Sequence, residues 1–183
     1  MQIFKNAVAA FAVLAVFAGA PALAADESTA SLLAQLRQAD PVEAKRIERE
    51  IRLEWAKSGS SSLDILLKRG TDALEAGETE TALGHFTALT DHAPEFAEGW
   101  HSRAMAFFHK ESYGLALHDL ERTLLLNPDH FGAIFGLAVL LETLDRDDDA
   151  FRLYEKVLEL HPNHEDAKTA VGRLNAAVNG TEI

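Results

Sequence analysis

Apolar and polar positions follow helical spacing through most of the chain, and between residues 63 and 164 this pattern recurs every 34 residues. Within each copy, one apolar stripe falls at positions 4, 7–8 and 11, and a second falls at positions 20, 24 and 27–28. Both stripes have the spacing of an amphipathic helix, and a short polar segment separates them. Each copy therefore predicts a helical hairpin, and the copies are residues 63–96, 97–130 and 131–164.

A proline closes each copy, and small side chains recur where the two helices of a hairpin meet. Proline cannot donate the interior hydrogen bond of a helix, so it predicts the end of the second helix. Small residues at positions 8 and 20 permit close packing, and a large residue at position 24 fills the space between hairpins. The residues concerned are Pro94, Pro128 and Pro162, then Gly70, Ala104 and Ala138, then Ala82, Ala116 and Ala150, and finally Phe86, Leu120 and Tyr154.

This pattern resembles the tetratricopeptide repeat family. The middle copy carries it as Trp100, Ala104 and Phe107 in the first helix, with Ala116 and Leu120 in the second. The resemblance implies an all-α fold, a right-handed superhelical stack of three helical hairpins, that binds other proteins. Leucine is usual in the family where Arg69 and Arg103 stand here, which indicates an edge that is partly exposed or paired.

The segment after the repeats, residues 165–183, predicts a capping helix and a tail. Ala167, Val171 and Leu174 share one helical face of Glu165 to about Val178. A stack of repeats needs such a cap because its last hairpin would otherwise expose apolar surface.

The segment before the repeats, residues 25–62, predicts a second helical hairpin followed by a serine-rich linker. Its longer helix begins with Asp40 as N-cap, Pro41 at the first helical position and Glu43 reaching back to the cap. We expect this hairpin to pack on the first repeat, either as a separate cap or as a degenerate fourth copy. A free coiled coil is the alternative, but two short apolar clusters supply too few heptads. The apolar face of the longer helix consists of Ile47, Ile51 and Trp55.

Residues 1–24 have the layout of a cleavable secretory signal peptide. Lys5 precedes an apolar run over 7–20, and Ala22-Leu23-Ala24 forms a small-x-small cleavage site. An uncleaved anchor is the alternative, but a membrane span needs about 20 apolar residues. The chain has no cysteine, which excludes a lipid-anchored lipoprotein and disulfides. We therefore expect a periplasmic or secreted protein with no stable membrane insertion after cleavage.

The charge balance narrows the class of partner. The formal net charge is −12, and removal of Lys5 with the signal peptide makes it −13. Nucleic acids and anionic lipid surfaces require clustered Lys and Arg, so neither is an expected partner. The acidity accounts for solubility and also suits a basic protein partner.

The histidines and acidic clusters do not predict a metal, a cofactor or a catalytic centre. His130 and His164 both occupy position 34, so they are expected about one hairpin apart, roughly 10 Å, as polar turn residues beside the prolines. His161 lies near His164, but a zinc site needs three or four convergent ligands. The acidic segment 145–149 lacks the central glycine and distal glutamate of a calcium loop. Patterns for an activated nucleophile or a phosphate-binding loop are missing from the sequence, so no enzyme is expected.

The first helix of each hairpin is expected to line a concave groove. With the core at positions 4, 8 and 11, the groove falls at positions 2, 5, 9 and 12. Large apolar residues at these positions predict a binding surface, although Phe108 and Phe135 could instead bury against neighbouring hairpins. The candidate partner-binding residues are Leu67, Thr71, Leu74, His101, Met105, Phe108, Phe135, Val139 and Glu142.

The best-known subtype of the family grips a C-terminal carboxylate of chaperones with Lys, Arg and Asn side chains. The matching positions here hold none of these residue types, so an apolar peptide or amphipathic helix is the expected guest. The residues at those positions are Leu67, Thr71, Ser102, Gly132 and Gly136.

Three hypotheses of function follow. The first is a non-enzymatic adaptor that binds a protein segment through its concave groove. The second is a structural subunit of an envelope assembly that uses its convex face and N-terminal hairpin. A metal-binding enzyme is a third hypothesis and would require a stoichiometric metal. The identity of the partner and the oligomeric state stay open.

Overall fold

A computed structural model describes residues 21–179, and within that range the chain is entirely helical. Residues 1–20, which hold most of the predicted signal peptide, lie outside the described residues. No helix between residues 21 and 179 is long and apolar enough to cross a membrane. The helices are α1 (Pro21–Leu36), α2 (Pro41–Trp55), α3 (Ser61–Glu75), α4 (Thr79–His92), α5 (Ala97–His109), α6 (Tyr113–Leu126), α7 (Phe131–Thr143), α8 (Asp147–Leu160) and α9 (Glu165–Asn179).

The three predicted repeats are the antiparallel pairs α3–α4, α5–α6 and α7–α8, which pack in chain order. The predicted all-α superhelical stack is therefore confirmed. Helix α9 packs on α8, and its Ala167 and Leu174 are buried against the last hairpin. It closes the stack as the predicted capping helix.

Each hairpin turns through a residue in the left-handed backbone region at position 15. Gly77 has φ +77°, and Glu111 and Asp145 have φ +56° and +57°. In each turn the amide of the next residue donates a hydrogen bond to the carbonyl oxygen five residues earlier. In the first repeat this bond runs from the Glu78 amide to the Ala73 carbonyl at 2.8 Å. This six-to-one bond ends the first helix and reverses the chain.

The second helix of each hairpin stops two residues before its proline. Helices α4, α6 and α8 end at His92, Leu126 and Leu160. Pro94, Pro128 and Pro162 have no amide proton with which to continue them. The position predicted from the 34-residue period is confirmed.

Side chains at positions 8 and 24 fix how closely the helices of a hairpin approach. Phe86 is fully buried against Gly70, where a Cβ atom would lie only 2.3 Å from the ring. The second repeat has the complementary combination, with Ala104 beside the smaller Leu120, and both are buried.

Arg103 forms an ion pair within the second repeat and a hydrogen bond to the first repeat. Its Nε and Nη2 donate to the two carboxylate oxygens of Asp119 at 2.7 and 2.9 Å, and its Nη1 donates to the Thr90 hydroxyl at 2.8 Å. The Asp119 side chain is 1% exposed. The guanidinium also lies 4.8 Å from the ring centroid of Trp100. The expectation of a paired or exposed edge holds for both arginines, since Arg103 is paired and Arg69 is exposed.

Helix α2 begins as its sequence predicts. An Asp40 carboxylate oxygen accepts hydrogen bonds from the Val42 and Glu43 amides, both at 2.9 Å, and Pro41 occupies the first turn. The Glu43 carboxylate, expected to reach back to the cap, instead pairs with Arg46 at 3.2 Å. A neighbouring cation on the same helical face is a stronger partner than a backbone amide.

The hairpin α1–α2 packs on the third repeat, which corrects the predicted docking on the first. Its buried residues, including Ile47 and Ile51, belong to the same core as Phe131 of α7 and Tyr154 of α8. The Trp55 ring lies 4.9 Å from that of Phe131. The first repeat is contacted by the end of this segment: Ala56 packs against its core, and the Asp64 carboxylate accepts from the Ser58 amide at 2.9 Å. Helix α2 thus runs back from the third repeat toward the first.

Candidate functional site

An apolar pocket lies between α5 and α7, on the inner helices of the second and third repeats. Its volume is about 130 Å³, and every lining residue is apolar. Four predicted groove residues meet here, because they recur at helical spacing on two adjacent helices. The pocket is lined by Ala104, Met105, Phe108, Leu120, Phe135, Gly136 and Val139.

The pocket exists because a glycine stands where a side chain would fill it. A Cβ atom on Gly136 would lie 3.4 Å from Leu120 and 3.6 Å from the Met105 sulfur. A methyl group fits these distances, but a longer side chain would occupy the pocket. On the α7 wall, the Phe135 ring stacks on His164 at 4.7 Å and lies 5.5 Å from the Tyr154 ring. The wall is therefore held in place by neighbouring aromatic rings.

The groove residues predicted in the first repeat do not reach this pocket. Leu67 is only 7% exposed and belongs to a core that includes Ala106 of α5, so its predicted position on a free groove surface is wrong. Leu74 is half-buried against the same core. Thr71 is exposed, and its hydroxyl donates to the Leu67 carbonyl at 3.0 Å.

The two remaining predicted residues contact other parts of the protein. His101 lies one helical turn before Met105, and its Nδ1 is 3.3 Å from a Glu98 carboxylate oxygen. Glu142 accepts a hydrogen bond from the Tyr154 hydroxyl at 2.9 Å and pairs with Arg173 of α9 at 2.5 Å. Arg173 is the main cause that holds the pKa of the Glu142 carboxyl below its usual value.

A cluster of His101, His130 and Glu98 lies at the N-terminal ends of α5 and α7. His130 was expected in a polar turn but is 2% exposed, and its Nδ1 accepts from the Ala133 amide at 3.1 Å. The ring therefore caps α7, and its remaining proton lies on Nε2, which is 3.0 Å from Glu98. The ring of Trp55 from α2 stacks on His130 with centroids 4.3 Å apart.

The surroundings set the charges in this cluster. Burial lowers the pKa of His130, assisted by the neighbouring His101, although Glu98 opposes both effects. The His130 ring is therefore neutral at pH 7. Burial alone would raise the pKa of Glu98, but its interactions with His101 and His130 hold that pKa well below its usual value. The result is one carboxylate beside two imidazoles.

Two further histidines lie at the other end of the third repeat, and His161 is the one that contacts α2. His161 is buried, and its Nε2 lies 3.2 Å from a Glu48 oxygen. The hydrogen bond with His161 is the largest of the effects that lower the pKa of Glu48 to about 2. His164 repeats the role of His130, because its Nδ1 accepts from the Ala167 amide at 3.3 Å and caps α9.

Sequence reasoning missed Glu98 and Trp55 as members of the His130 cluster. Glu98 and His101 are three residues apart and share a face of α5, a spacing that the sequence does show. His130, at position 34 of the same repeat, comes close to them because α7 packs beside α5 in the stack. The position of Trp55 has no such signal, because it depends on where the N-terminal hairpin docks.

Two curated relatives show how far the similarity extends. A TPR repeat-containing protein of Rhizobium etli is 33% identical over 144 residues, which cover 78% of this chain and 71% of that protein. Serine/threonine-protein phosphatase 5 of Rattus norvegicus is 28% identical over 103 residues, or 56% of this chain. The latter match spans only 21% of the phosphatase.

Solved structures share the fold at lower sequence identity. The first TPR domain of Spaghetti (RPAP3), bound to the HSP90 peptide SRMEEVD, matches 64% of this chain and 93% of its own with 24% identity and a TM-score of 0.61. The crystal structure of MamA matches 64% of this chain and 68% of its own with 22% identity and a TM-score of 0.60. These likenesses support the fold.

The sequence model of the tetratricopeptide repeat family matches two overlapping segments, residues 67–125 and 110–165. Together they cover more than half of the chain, with most of the first hairpin and all of the second and third. With the period, the hairpin stack and the similarity to the Rhizobium etli protein, this match shows that the chain belongs to the tetratricopeptide repeat family.

Proposed function

We propose that this protein is a non-enzymatic scaffold that binds an amphipathic helix or apolar peptide of a protein partner in the pocket between α5 and α7. The observation that carries the proposal is the pocket itself. An opening lined wholly by apolar residues is unusual on a protein with a net charge of −12, and such surfaces commonly mark binding sites.

The size of the pocket suits one anchoring side chain. Its volume of about 130 Å³ is close to the ~150 Å³ of an engineered apolar cavity that takes up benzene. A leucine or phenylalanine of the partner would fill it, while flanking residues of a helix would lie along α5 and α7. Met105 can adapt its conformation to different anchors because its thioether chain is flexible.

The solved structure of the RPAP3 domain supports peptide binding, but the charge of its peptide differs from that of the guest proposed here. The RPAP3 domain was solved with an HSP90 peptide that carries acidic residues near its end. None of the seven residues lining the pocket here is basic, so an acidic terminus would find no cation in it. The acidic protein as a whole favours a partner whose anchor is flanked by Lys or Arg.

The test is site-specific photo-crosslinking in cells, followed by mass spectrometry of the linked segment. A photo-reactive residue at position 105 is expected to crosslink an amphipathic or apolar protein segment. The same residue at Leu125, which is 71% exposed on the outer helix α6, serves as the matched control. Crosslinks from the Leu125 position alone would contradict the groove and would favour a structural subunit that uses its convex face.

Two variants then separate loss of binding from loss of folding. Met105→Lys combined with Phe135→Lys is expected to reduce capture of that segment at least about tenfold, because the pocket cannot solvate two buried ammonium groups. Gly136→Leu is expected to do the same by filling the pocket, and leucine has a higher helix propensity than glycine. Circular dichroism and a melting temperature near wild type would show that both variants fold. Capture equal to wild type in folded variants would refute the proposal.

We also propose that the scaffold acts outside the cytoplasm, in the periplasm or after secretion. Residues 1–24 support this through their charged start, apolar run and small-residue ending. The intact mass of the protein from cells is expected to correspond to residues 25–183. A mass that includes Met1 to Ala24 would contradict cleavage.

A further inference from the structure

Glu98, His101 and His130 bring three metal-binding side chains to one point between the second and third repeats. Glu98 and His101 project from the first turns of α5, and His130 stands at the start of α7. One ligand atom from each residue lies within 4.8 Å of the others. Two of the pairs are closer, each through a different carboxylate oxygen: His130 Nε2 is 3.0 Å from Glu98 Oε2, and His101 Nδ1 is 3.3 Å from Glu98 Oε1.

We propose that these three residues form a binding site for a divalent transition-metal ion of the zinc class. Two imidazole nitrogens and one carboxylate oxygen suit Zn²⁺, Cu²⁺ or Ni²⁺, whereas Ca²⁺ and Mg²⁺ prefer sets of oxygen ligands. This site departs from the sequence-based expectation that no metal is bound. That expectation compared His130 with His161 and His164 and did not include His101.

The geometry needs only a small adjustment to receive the ion. With metal–ligand bonds of about 2.0–2.2 Å, ligand atoms in a tetrahedral site lie roughly 3.4 Å apart. The two pairs that include Glu98 are already near this separation, but through different oxygens. The carboxylate therefore binds the ion through both oxygens, or turns so that one oxygen faces both imidazoles. The third pair, between the imidazoles, closes if the His101 ring rotates, and its side chain is 12% exposed. Trp55 stacks on the His130 ring and limits its movement to the plane of the imidazole.

The hydrogen bonds of His130 can rearrange to free Nε2 for the metal. The Nε2 proton, which faces Glu98, must move to Nδ1 by exchange with solvent. Two N–H groups would then face each other 3.1 Å apart, so the His130 ring must move away from the Ala133 amide. The nitrogen of that amide also lies 2.9 Å from the His130 carbonyl oxygen. The start of α7 thus keeps a partner for this amide. Water would complete the coordination, because Glu98 and His101 are partly open to solvent.

The test is zinc titration of the purified, metal-free protein without a histidine tag, followed by calorimetry and metal analysis. We expect one Zn²⁺ per chain with micromolar or tighter affinity. His130→Asn keeps a side-chain oxygen that can cap α7 but removes the ligand, so the affinity is expected to fall roughly 100-fold or more, beyond what loss of an outer-shell partner causes.

His164→Asn is the matched control, because His164 occupies the same repeat position and caps α9 through its Nδ1. It is expected to bind Zn²⁺ like wild type. His101→Gln, which removes a ligand that caps no helix, keeps the test decisive if His130→Asn fails to fold. Co²⁺ in the intact site should give visible absorption bands of a nitrogen- and oxygen-bound ion. The absence of stoichiometric Zn²⁺, or equal affinity in wild type and folded His101→Gln, would overturn the proposal.

Discussion

Replacing Asp119 by alanine is expected to lower the free energy of unfolding by about 3 kcal/mol, because it leaves the Arg103 guanidinium without its counter-ion inside the stack. Asp119 receives two hydrogen bonds from Arg103, at 2.7 and 2.9 Å, and its side chain is 1% exposed. Arg103 is enclosed by the rings of Trp100 and Phe107. Urea denaturation monitored by circular dichroism measures the change.

Two further variants test whether the loss comes from the buried charge. Arg103→Leu combined with Asp119→Ala removes both charges and restores the leucine that the family usually has at this position, so much of the stability should return. Asp72→Ala breaks the ion pair between Asp72 and Lys68 on the surface. The side chain of Lys68 is 73% exposed and that of Asp72 is 58% exposed. The variant should change stability by less than about 1 kcal/mol. A loss for Asp72→Ala as large as for Asp119→Ala would contradict this explanation.

Replacing Gly70 by alanine is expected to destabilise the protein by about 2 kcal/mol, although alanine is normally the better helix former. The added Cβ would lie 2.3, 2.6 and 2.8 Å from three atoms of the Phe86 ring. Phe86 is fully buried, so its ring has little room to move. The helices α3 and α4 must separate, or the ring must leave its preferred rotamer. Thermal and urea denaturation measure the cost.

The second repeat provides the compensating change. It pairs Ala104 with Leu120, both buried, so Gly70→Ala combined with Phe86→Leu reproduces that combination in the first repeat. We expect the double variant to be more stable than Gly70→Ala alone, a coupling that a double-mutant cycle quantifies. Gly172→Ala in α9 is the control, because no atom lies within 4 Å of its added Cβ, and it should stabilise by up to about 1 kcal/mol. Additive effects of the Gly70 and Phe86 changes would show that the predicted clash does not exist.

Much of the pocket could be predicted from repeat positions. Met105, Phe108, Phe135 and Val139 were placed on one surface by helical spacing, and they line the pocket. Leu67 has an equivalent repeat position, yet it is buried because α3 packs against α5. Repeat position alone cannot distinguish an inner face that stays open from one that a neighbouring helix covers.

The histidine cluster shows a second limit. The sequence predicts His130 as a polar turn residue. In the structure it is buried, caps α7, and contacts Glu98 of α5 and Trp55 of α2. Only the folded structure places Trp55 on its ring, because residue 55 and residue 130 are far apart in the chain and belong to segments with no shared period.

Four features of the fold could be predicted from the amino-acid pattern: the 34-residue period, the hairpin that each copy forms, the end of each second helix just before its proline and the capping helix α9. These features arise from interactions within a repeat or between adjacent repeats, so the local pattern is sufficient to specify them. The packing of α1–α2 on the third repeat and the burial of Leu67 could not be read from the period. The same holds for the meeting of Glu98, His101 and His130 beside Trp55. Those contacts join segments as distant as Glu48 and His161, 113 residues apart, and depend on side-chain packing that no periodic pattern encodes.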